Sequence, residues 1–554
     1  METGKRVEPS FSEHSMPAEP RSLNLFQFPS GELSRTIFTL NAYLEERQKW
    51  EGASYNQWMA EWIGSGLTGE AELREWLRER FCPERFAVRG KKSHRAFDRA
   101  FDLAQKQAEE WCRQGIWAAG WESPGSPPRS SLPRCPRVFF GTGETSWTRP
   151  LVAVFNSRKG RQVSPHEEWL RALRLALSRI TAQKGEFAGS LGTTTYDLVT
   201  AYARRAGLPL FLIVPFPVED FPTFGHSPLL SSAGERPFHT MMTCHTRAVR
   251  CSKATRMLCR DRILACIADL HHVLEIRSGG NLLAVLQEQQ RRDPRPQRIW
   301  QPQCRGSRAE GNLQLLAELP AWSQPFAMEV SDEVPLTENS LPLHDPANTR
   351  SIEINWEDYL YHYTRARPGP WPGQSYRDYL LNLLDGDPLS EHTALHTLVH
   401  ILTEGRIRAG SQLVRGDQPV TSWTAIPPRK LESIRKWNPA LIRWTFEPYG
   451  IAIRRSLLRR LGAKPTIYAG DAVYSRLKPF HRFRFQRHEA PHCSWKHERE
   501  WRLPKDFLIE ECPAGSGFII VPAIRDAEML MRGLKPPLPL LVLSFEDGGL
   551  WGQD

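Results

Sequence analysis

Gly189, Ser190, Gly192, Thr193, Thr194 and Asp197 fall within one short stretch, Gly-Ser-Leu-Gly-Thr-Thr-Thr-Tyr-Asp, which reads as a turn opening directly into a helix. Glycine lets a backbone approach a ligand closely, and free N–H groups at a helix start attract anions. A second turn of this kind, Arg277-Ser278-Gly279-Gly280-Asn281, follows later in the chain. A third loop, Asn156 to Arg161, offers Ser157 with the cations Arg158, Lys159 and Arg161. Arginine can grip a phosphate through two N–H groups at once. Together these residues suit a phosphate-bearing molecule such as a nucleotide. Asp197 has two readings, a partner for a ribose hydroxyl or a charge that favours the helix start. Neither GxxxxGK[ST] nor GxGxxG occurs, so the loops are neither a Walker loop nor a dinucleotide fingerprint.

The elements that must position these loops alternate. Leu151 to Phe155 is a short apolar strand, and Ser164-Pro165-His166-Glu167 has capping-box spacing. Leu170, Leu173, Leu177 and Ile180 then share one helical face. The glycine turn leads into a helix ending near Arg205, and Leu210 to Val214 is a run typical of a buried parallel strand. A helix from about Thr255 to Asp269, a strand at His272 to Ile276 and another helix complete the segment. Such alternation predicts an α/β, Rossmann-like domain over residues 137–305. In open sheets of this type ligands settle beyond the carboxyl ends of strands, where all three loops lie.

Around it, residues 1–30 read as a loose tail and 31–121 as a helical region rich in tryptophan (Trp50, Trp58, Trp62, Trp76, Trp111, Trp117, Trp121). Residues 122–136 read as a linker and 306–350 as a second connector, with an α+β domain over 351–546. The 554 residues suffice for several cores, and the net charge of +11 favours polyanionic partners. Ten cysteines without a CxxC pair argue against a disulfide framework. Cys244, Cys251, Cys259 and Cys266 suit helix faces better than a zinc site, and His481, His488, His492, Cys493 and His497 read as surface or core residues, so no metal is expected. With no apolar run long enough for a bilayer and no signal peptide, the expected location is the cytoplasm.

The order Val-Phe-Asn-Ser-Arg, Gly-Ser-Leu-Gly-Thr-Thr-Thr-Tyr-Asp, Arg260-Asp261-Arg262 and Glu275-Ile276-Arg277-Ser278-Gly279 resembles the DNA-processing protein A family and, more widely, the LOG-like (SLOG) Rossmannoid proteins. The resemblance implies a nucleotide site built from Ser157, Arg158, the Gly189–Asp197 loop, Arg262, Ser278, Gly279 and Gly280. It also implies single-stranded DNA as an alternative partner. Asn156 stands where the family has glycine, and Leu191-Gly192-Thr193 departs from its second loop, which shifts the expectation toward a small nucleotide signal in bacterial phage defence or stress.

The C-terminal order Tyr361-His362-Tyr363-Thr364, Leu398 to Ile407, Ser422-Trp423-Thr424 and Trp495 to Arg502 is similar to domains around abortive-infection systems and, distantly, to ADP-ribosyltransferases. That resemblance implies NAD as a cofactor, with His362 holding its ribose, Ser422 supporting the nicotinamide side and Glu500 as the catalytic carboxylate. Glu498 precedes Glu500 in Glu-x-Glu spacing, which on a strand puts both on one face. The sequence alone also allows these carboxylates to pair with Lys496, Arg499 or Arg502. Expected partners are thus a nucleotide-derived signal or single-stranded DNA, with no membrane; an oligomer is compatible.

Overall fold

The computed structural model describes residues 70–81, 90–120, 138–143, 149–160, 162–221, 229–230, 239–247, 252–302, 309–318, 320–327, 354–387, 390–411, 414–438, 443–488, 496–543, 545–546 and 549–550. The tail 1–30, Trp50, Trp58, Trp62, Trp121, the linker 122–136, Arg161, Cys251, His492 and Cys493 lie outside them. The chain forms two compact units: the first holds residues 70–159 and 166–327, the second 160–165 and 354–550. The fold is α/β, with helices around a large mixed sheet that contains parallel strands.

In the first unit, α1 (Glu70–Phe81) and α2 (Gly90–Arg113) precede the sheet. Phe101, Ala104, Ala108 and Trp111 repeat at helical spacing on α2, and all are buried. The expected helical region does not run to 121. Residues 116–120 form β1 (Ile116–Gly120), antiparallel to β2 (Val138–Gly143). Trp117 lies opposite Gly141 across this pair, and a side chain at 141 would collide with its indole ring. The indole N–H donates to the Gly143 carbonyl at 3.0 Å.

The remaining elements are β3 (Leu151–Phe155), α3 (Glu168–Ala182), β4 (Glu186–Gly189), α4 (Thr194–Arg205), β5 (Leu210–Ile213) and β6 (Thr240–Thr243). After them come α5 (Lys253–Ile267), β7 (Leu270–Val273), α6 (Asn281–Arg292), β8 (Gln297–Trp300), α7 (Glu310–Glu318) and β9 (Ser323–Phe326). Their order across the sheet is β1-β2-β6-β5-β4-β3-β7-β8-β9, and from β6 to β9 every pair is parallel. All five residues of β3 are buried, as a central parallel strand covered on both faces requires. Leu151, Ala153 and Phe155 join Ile263, Leu264, Leu283 and Leu286 from α5 and α6 in one core.

Three boundaries differ from expectation. Ser164 and Pro165 do not open a helix; α3 begins at Glu168, with Glu167 at its cap position, because Pro165 and His166 are spent in a turn. Strand β7 stops at Val273, leaving Leu274 to Gly280 as loop. Part of the expected connector is folded, since α7 and β9 extend the sheet beyond residue 305.

The second unit centres on β10 (Tyr359–Tyr363), β11 (Thr421–Thr424), β12 (Gly450–Arg454), β13 (Lys464–Pro465), β14 (Glu500–Leu503), β15 (Gly517–Val521) and β16 (Leu540–Val542). They order as β13-β14-β11-β10-β12-β15-β16, antiparallel except for the β15–β16 pair. Leu360, Ile451 and Trp423 face one core and Tyr361, Tyr363 and Ala452 the other, so both faces are covered. The helix expected near 392–404 spans Ala394–Glu404; Thr393 caps its start and Gly405, at φ 72°, ends it.

Candidate functional site

The parallel part of the first unit starts at β3, works outward through β4 and β5 to β6, then crosses back to place β7 on the other side of β3. The reversal between β3 and β7 is a topological switch point, and the loops leaving the carboxyl ends of β3, β4 and β7 bound a crevice there. They are the three loops singled out by their residue types.

Hydrogen bonds tie them together. Asn156 is the hub: its Nδ2 donates to Thr195 Oγ1 at 3.0 Å, and its Oδ1 accepts from the Glu275 N–H at 3.2 Å. Ser157 joins the first loop to the third, donating its N–H to the Glu275 carbonyl (2.8 Å) and accepting from the Arg277 N–H at Oγ (2.9 Å). Asn312 on α7 braces the third loop from behind. Its Oδ1 accepts from the Ile276 N–H at 2.9 Å, while its Nδ2 donates to the carbonyls of Leu274 and Trp300.

Within the second loop, Gly192 sits at φ 87°, a left-handed conformation that favours glycine. Its N–H donates to Asp197 Oδ1 at 2.9 Å, so the buried Asp197 carboxylate holds the loop closed at the helix start. Thr193 and Thr194 are half-buried at the opening of α4, and the Thr193 side chain does not cap it. Ser190 is fully buried, and its Oγ finds no hydrogen-bond partner among the described residues. Gly189 ends β4 with ordinary contact distances around it, so close approach is not its role. In the third loop Gly279 has φ 68°, Gly280 precedes α6 without a side-chain cap, and Ser278 Oγ accepts from Gln314 at 2.9 Å.

The cations divide. Arg158 and Arg277 are exposed on the first and third loops. Lys159, expected to meet phosphate, instead ion-pairs with Glu275 and lies over the Trp169 ring at 4.9 Å. Arg262 is also placed elsewhere: on α5 it pairs with Glu288 of α6 at 3.6 Å. Arg260, the other arginine of that motif and not among the expected site residues, is the one that reaches the second loop. Its guanidinium is buried, lies 4.7 Å over the Tyr196 ring, pairs with Asp261 at 2.7 Å and donates to the Leu191 carbonyl at 3.4 Å. Burial raises the Asp261 carboxyl, while the Arg260 charge opposes that shift. Arg260 and Arg262 were both visible in the sequence motif; two residues apart on a helix, they point about 200° apart, and only one reaches the loop.

In the second unit, His362, Ser422 and Glu500 lie on the adjacent strands β10, β11 and β14. The register separates them. Tyr361 is opposite Thr424, and Thr424 is opposite Glu500, so those three form one row. Side chains alternate along a strand, which puts His362 on the other face, edge-on to Trp423 at 5.7 Å. Its Nδ1 meets the Ser422 carbonyl at 2.8 Å, and burial pushes its pKa down to about 4.

Glu500 is held by the buried Arg502, whose Nε and Nη2 reach its two carboxylate oxygens at 2.9 and 3.0 Å. Arg502 also donates to the carbonyls of Phe483 and Phe485 and to Gln486, so the pair reads as structural. His362 and Glu500 leave opposite faces, and the carboxylate is already committed. Glu498 does not share a strand face with Glu500 either, because it ends a short 3-10 turn and Arg499, at φ 46°, breaks the extended backbone before β14 begins. Burial and the neighbouring Glu500 charge hold the Glu498 carboxyl up at about 7.

No known family model matches the chain, and no curated protein matches it. Among solved structures the chain is similar to DNA processing protein A from Streptococcus pneumoniae, at 13% identity and a TM-score of 0.36, over 52% of this chain and 94% of that one. It is similar also to DNA processing protein A from Helicobacter pylori, whose structure concerns its single-stranded DNA binding mode, at 13% identity and a TM-score of 0.29, over 38% and 90%. Among the described residues no helix is long and apolar enough to cross a membrane.

Proposed function

We propose that the first unit binds the phosphates of a single nucleic-acid strand, with DNA as the ligand class, in the crevice beyond β3, β4 and β7. The observation that carries this is the switch-point geometry: three cross-linked loops, two of which open helices whose starts lack side-chain caps. Arg158, Arg277, Gly192, Ser278 and Gly279 are all exposed, which suits a strand lying across the rim. The net charge of +11 favours a polyanion over a neutral metabolite. Phosphate contacts of this kind fix position and carry no sequence preference.

A second reading, a small nucleotide acting as a signal, is favoured by one observation. The buried Ser190 hydroxyl has no hydrogen-bond partner among the described residues, and a compact phosphate taken into the loop would supply one. Anisotropy of a labelled oligothymidylate, competed by nucleoside monophosphates and by inorganic phosphate, separates the two. Strand binding predicts tight oligonucleotide binding that mononucleotides displace poorly and that Ser190→Ala leaves intact. Mononucleotide binding without oligonucleotide binding, lost in Ser190→Ala, supports the second reading. Absence of both at low salt removes the crevice as a phosphate site.

A further inference from the structure

Cys244 and His245 directly follow β6, and Cys259 stands in the second turn of α5. Fourteen intervening residues separate Cys244 from Cys259 in sequence, so their helix-face spacing gave no sign that they meet. In the fold, Cys244 Sγ lies 3.5 Å from Cys259 Sγ and 3.6 Å from His245 Nε2. The three candidate ligand atoms all fall within 4.8 Å of one another. Those spacings have a chemical meaning. A tetrahedral zinc with Zn–S near 2.3 Å and Zn–N near 2.0 Å holds its sulfurs about 3.8 Å apart and sulfur from nitrogen about 3.5 Å. A disulfide needs sulfurs at about 2.05 Å, and neither cysteine is in a disulfide.

We propose that Cys244, His245 and Cys259 form a binding site for a thiophilic divalent ion of the zinc class, with the fourth position left to water or an external ligand. Two thiolates and an imidazole are the donor set that such an ion selects over magnesium or calcium. Cys244 and His245 are buried and Cys259 is half-buried, which leaves a route for the ion to enter. Two thiolates balance a divalent charge, so the loaded site adds no net charge beside Arg262. The ion would pin the end of β6 to α5, the helix that also carries Arg260. This site is independent of whether the crevice holds nucleic acid.

The test uses the full chain, purified under reduction, stripped with a chelator, then titrated with Zn²⁺ and with Co²⁺. One ion per chain is expected, with thiolate-to-cobalt charge-transfer absorption. Outer-shell changes at metal sites cost 10- to 100-fold in affinity, so Cys244→Ser and His245→Gln should each lose at least about 100-fold. His245→Gln should retain the thiolate bands at saturating cobalt, and Cys512→Ser in the second unit should behave as wild type. Circular dichroism of each variant confirms folding. Uptake of neither ion by folded, reduced wild type overturns the proposal, as do ligand variants that bind with unchanged affinity and spectrum.

Discussion

Replacing Asn312 probes how the crevice is held up, because a single buried side chain from α7 serves three backbone groups around the third loop. In Asn312→Ala the Ile276 N–H loses its acceptor at 2.9 Å, and the carbonyls of Leu274 and Trp300 lose their donor. Asn312 is 1% exposed, so water does not readily replace it. An orphaned buried N–H costs about 2 kcal/mol and each carbonyl, which keeps a second lone pair, about 0.5–1.5, for a total of about 3–5 kcal/mol. Asn312→Asp sharpens the contrast. It keeps the acceptor for Ile276 but turns an oxygen toward two carbonyls, so it should cost at least as much as alanine despite its near-identical shape. Whole-chain melting is a poor assay for two units. Hydrogen exchange of the Leu274–Leu283 segment reads the loop locally. A loss of about 3 kcal/mol corresponds to roughly 150-fold faster exchange there, at 1.36 kcal/mol per factor of ten. Wild-type protection in Asn312→Asp would refute the bracing role.

Three other perturbations follow from the geometry. Gly192→Ala meets no atom within 4 Å but must hold φ 87°, so it should destabilise the loop by about 1–2 kcal/mol, read by hydrogen exchange of residues 190–197. Glu498 titrates near 7 in the fold against about 4.5 unfolded, so its contribution to stability is complete below pH 4.5 and is lost as pH rises through 7. Glu498→Gln should therefore gain relative to wild type between pH 5 and pH 8, by up to about 3 kcal/mol in denaturation of the second unit; a constant difference across that range would contradict the shift. Arg260→Lys keeps a charge but not the planar stack on Tyr196, and should lower the affinity for the phosphate ligand by about tenfold, while Arg262→Lys leaves it unchanged.

Much of the first unit is legible in sequence because its elements announce themselves locally. Leu151–Phe155 and Leu210–Ile213 are continuous apolar runs, and such runs belong in a covered parallel sheet. The glycine-bearing loops follow from the left-handed angles that Gly192 and Gly279 adopt. What stayed hidden depends on contacts between distant residues. The strand at 116–120 pairs with 138–142, where Gly141 leaves room for the Trp117 ring, a pairing no helical periodicity discloses. Asn156 proves to be the atom-by-atom link between the first loop and the other two. Lys159 looked like a phosphate ligand until Glu275, far along the chain, neutralised it. In the second unit the spacing of His362, Ser422 and Glu500 was visible, but the register that sends them to opposite faces was not. One residue of register reverses every side chain on a strand.

In the proposed function, phosphates of a nucleic-acid strand lie on the rim formed by the loops after β3, β4 and β7. The most direct measurement is the salt dependence of oligothymidylate affinity for wild type and for Arg158→Ala/Arg277→Ala, two exposed residues whose loss should leave folding unchanged. Each phosphate contact on a single strand contributes about −0.7 to the slope of log K against log salt. The double variant should therefore bind more weakly at low salt, with a slope shallower by about 1.4. Identical slopes for the two proteins, or no wild-type binding at low salt, would contradict it.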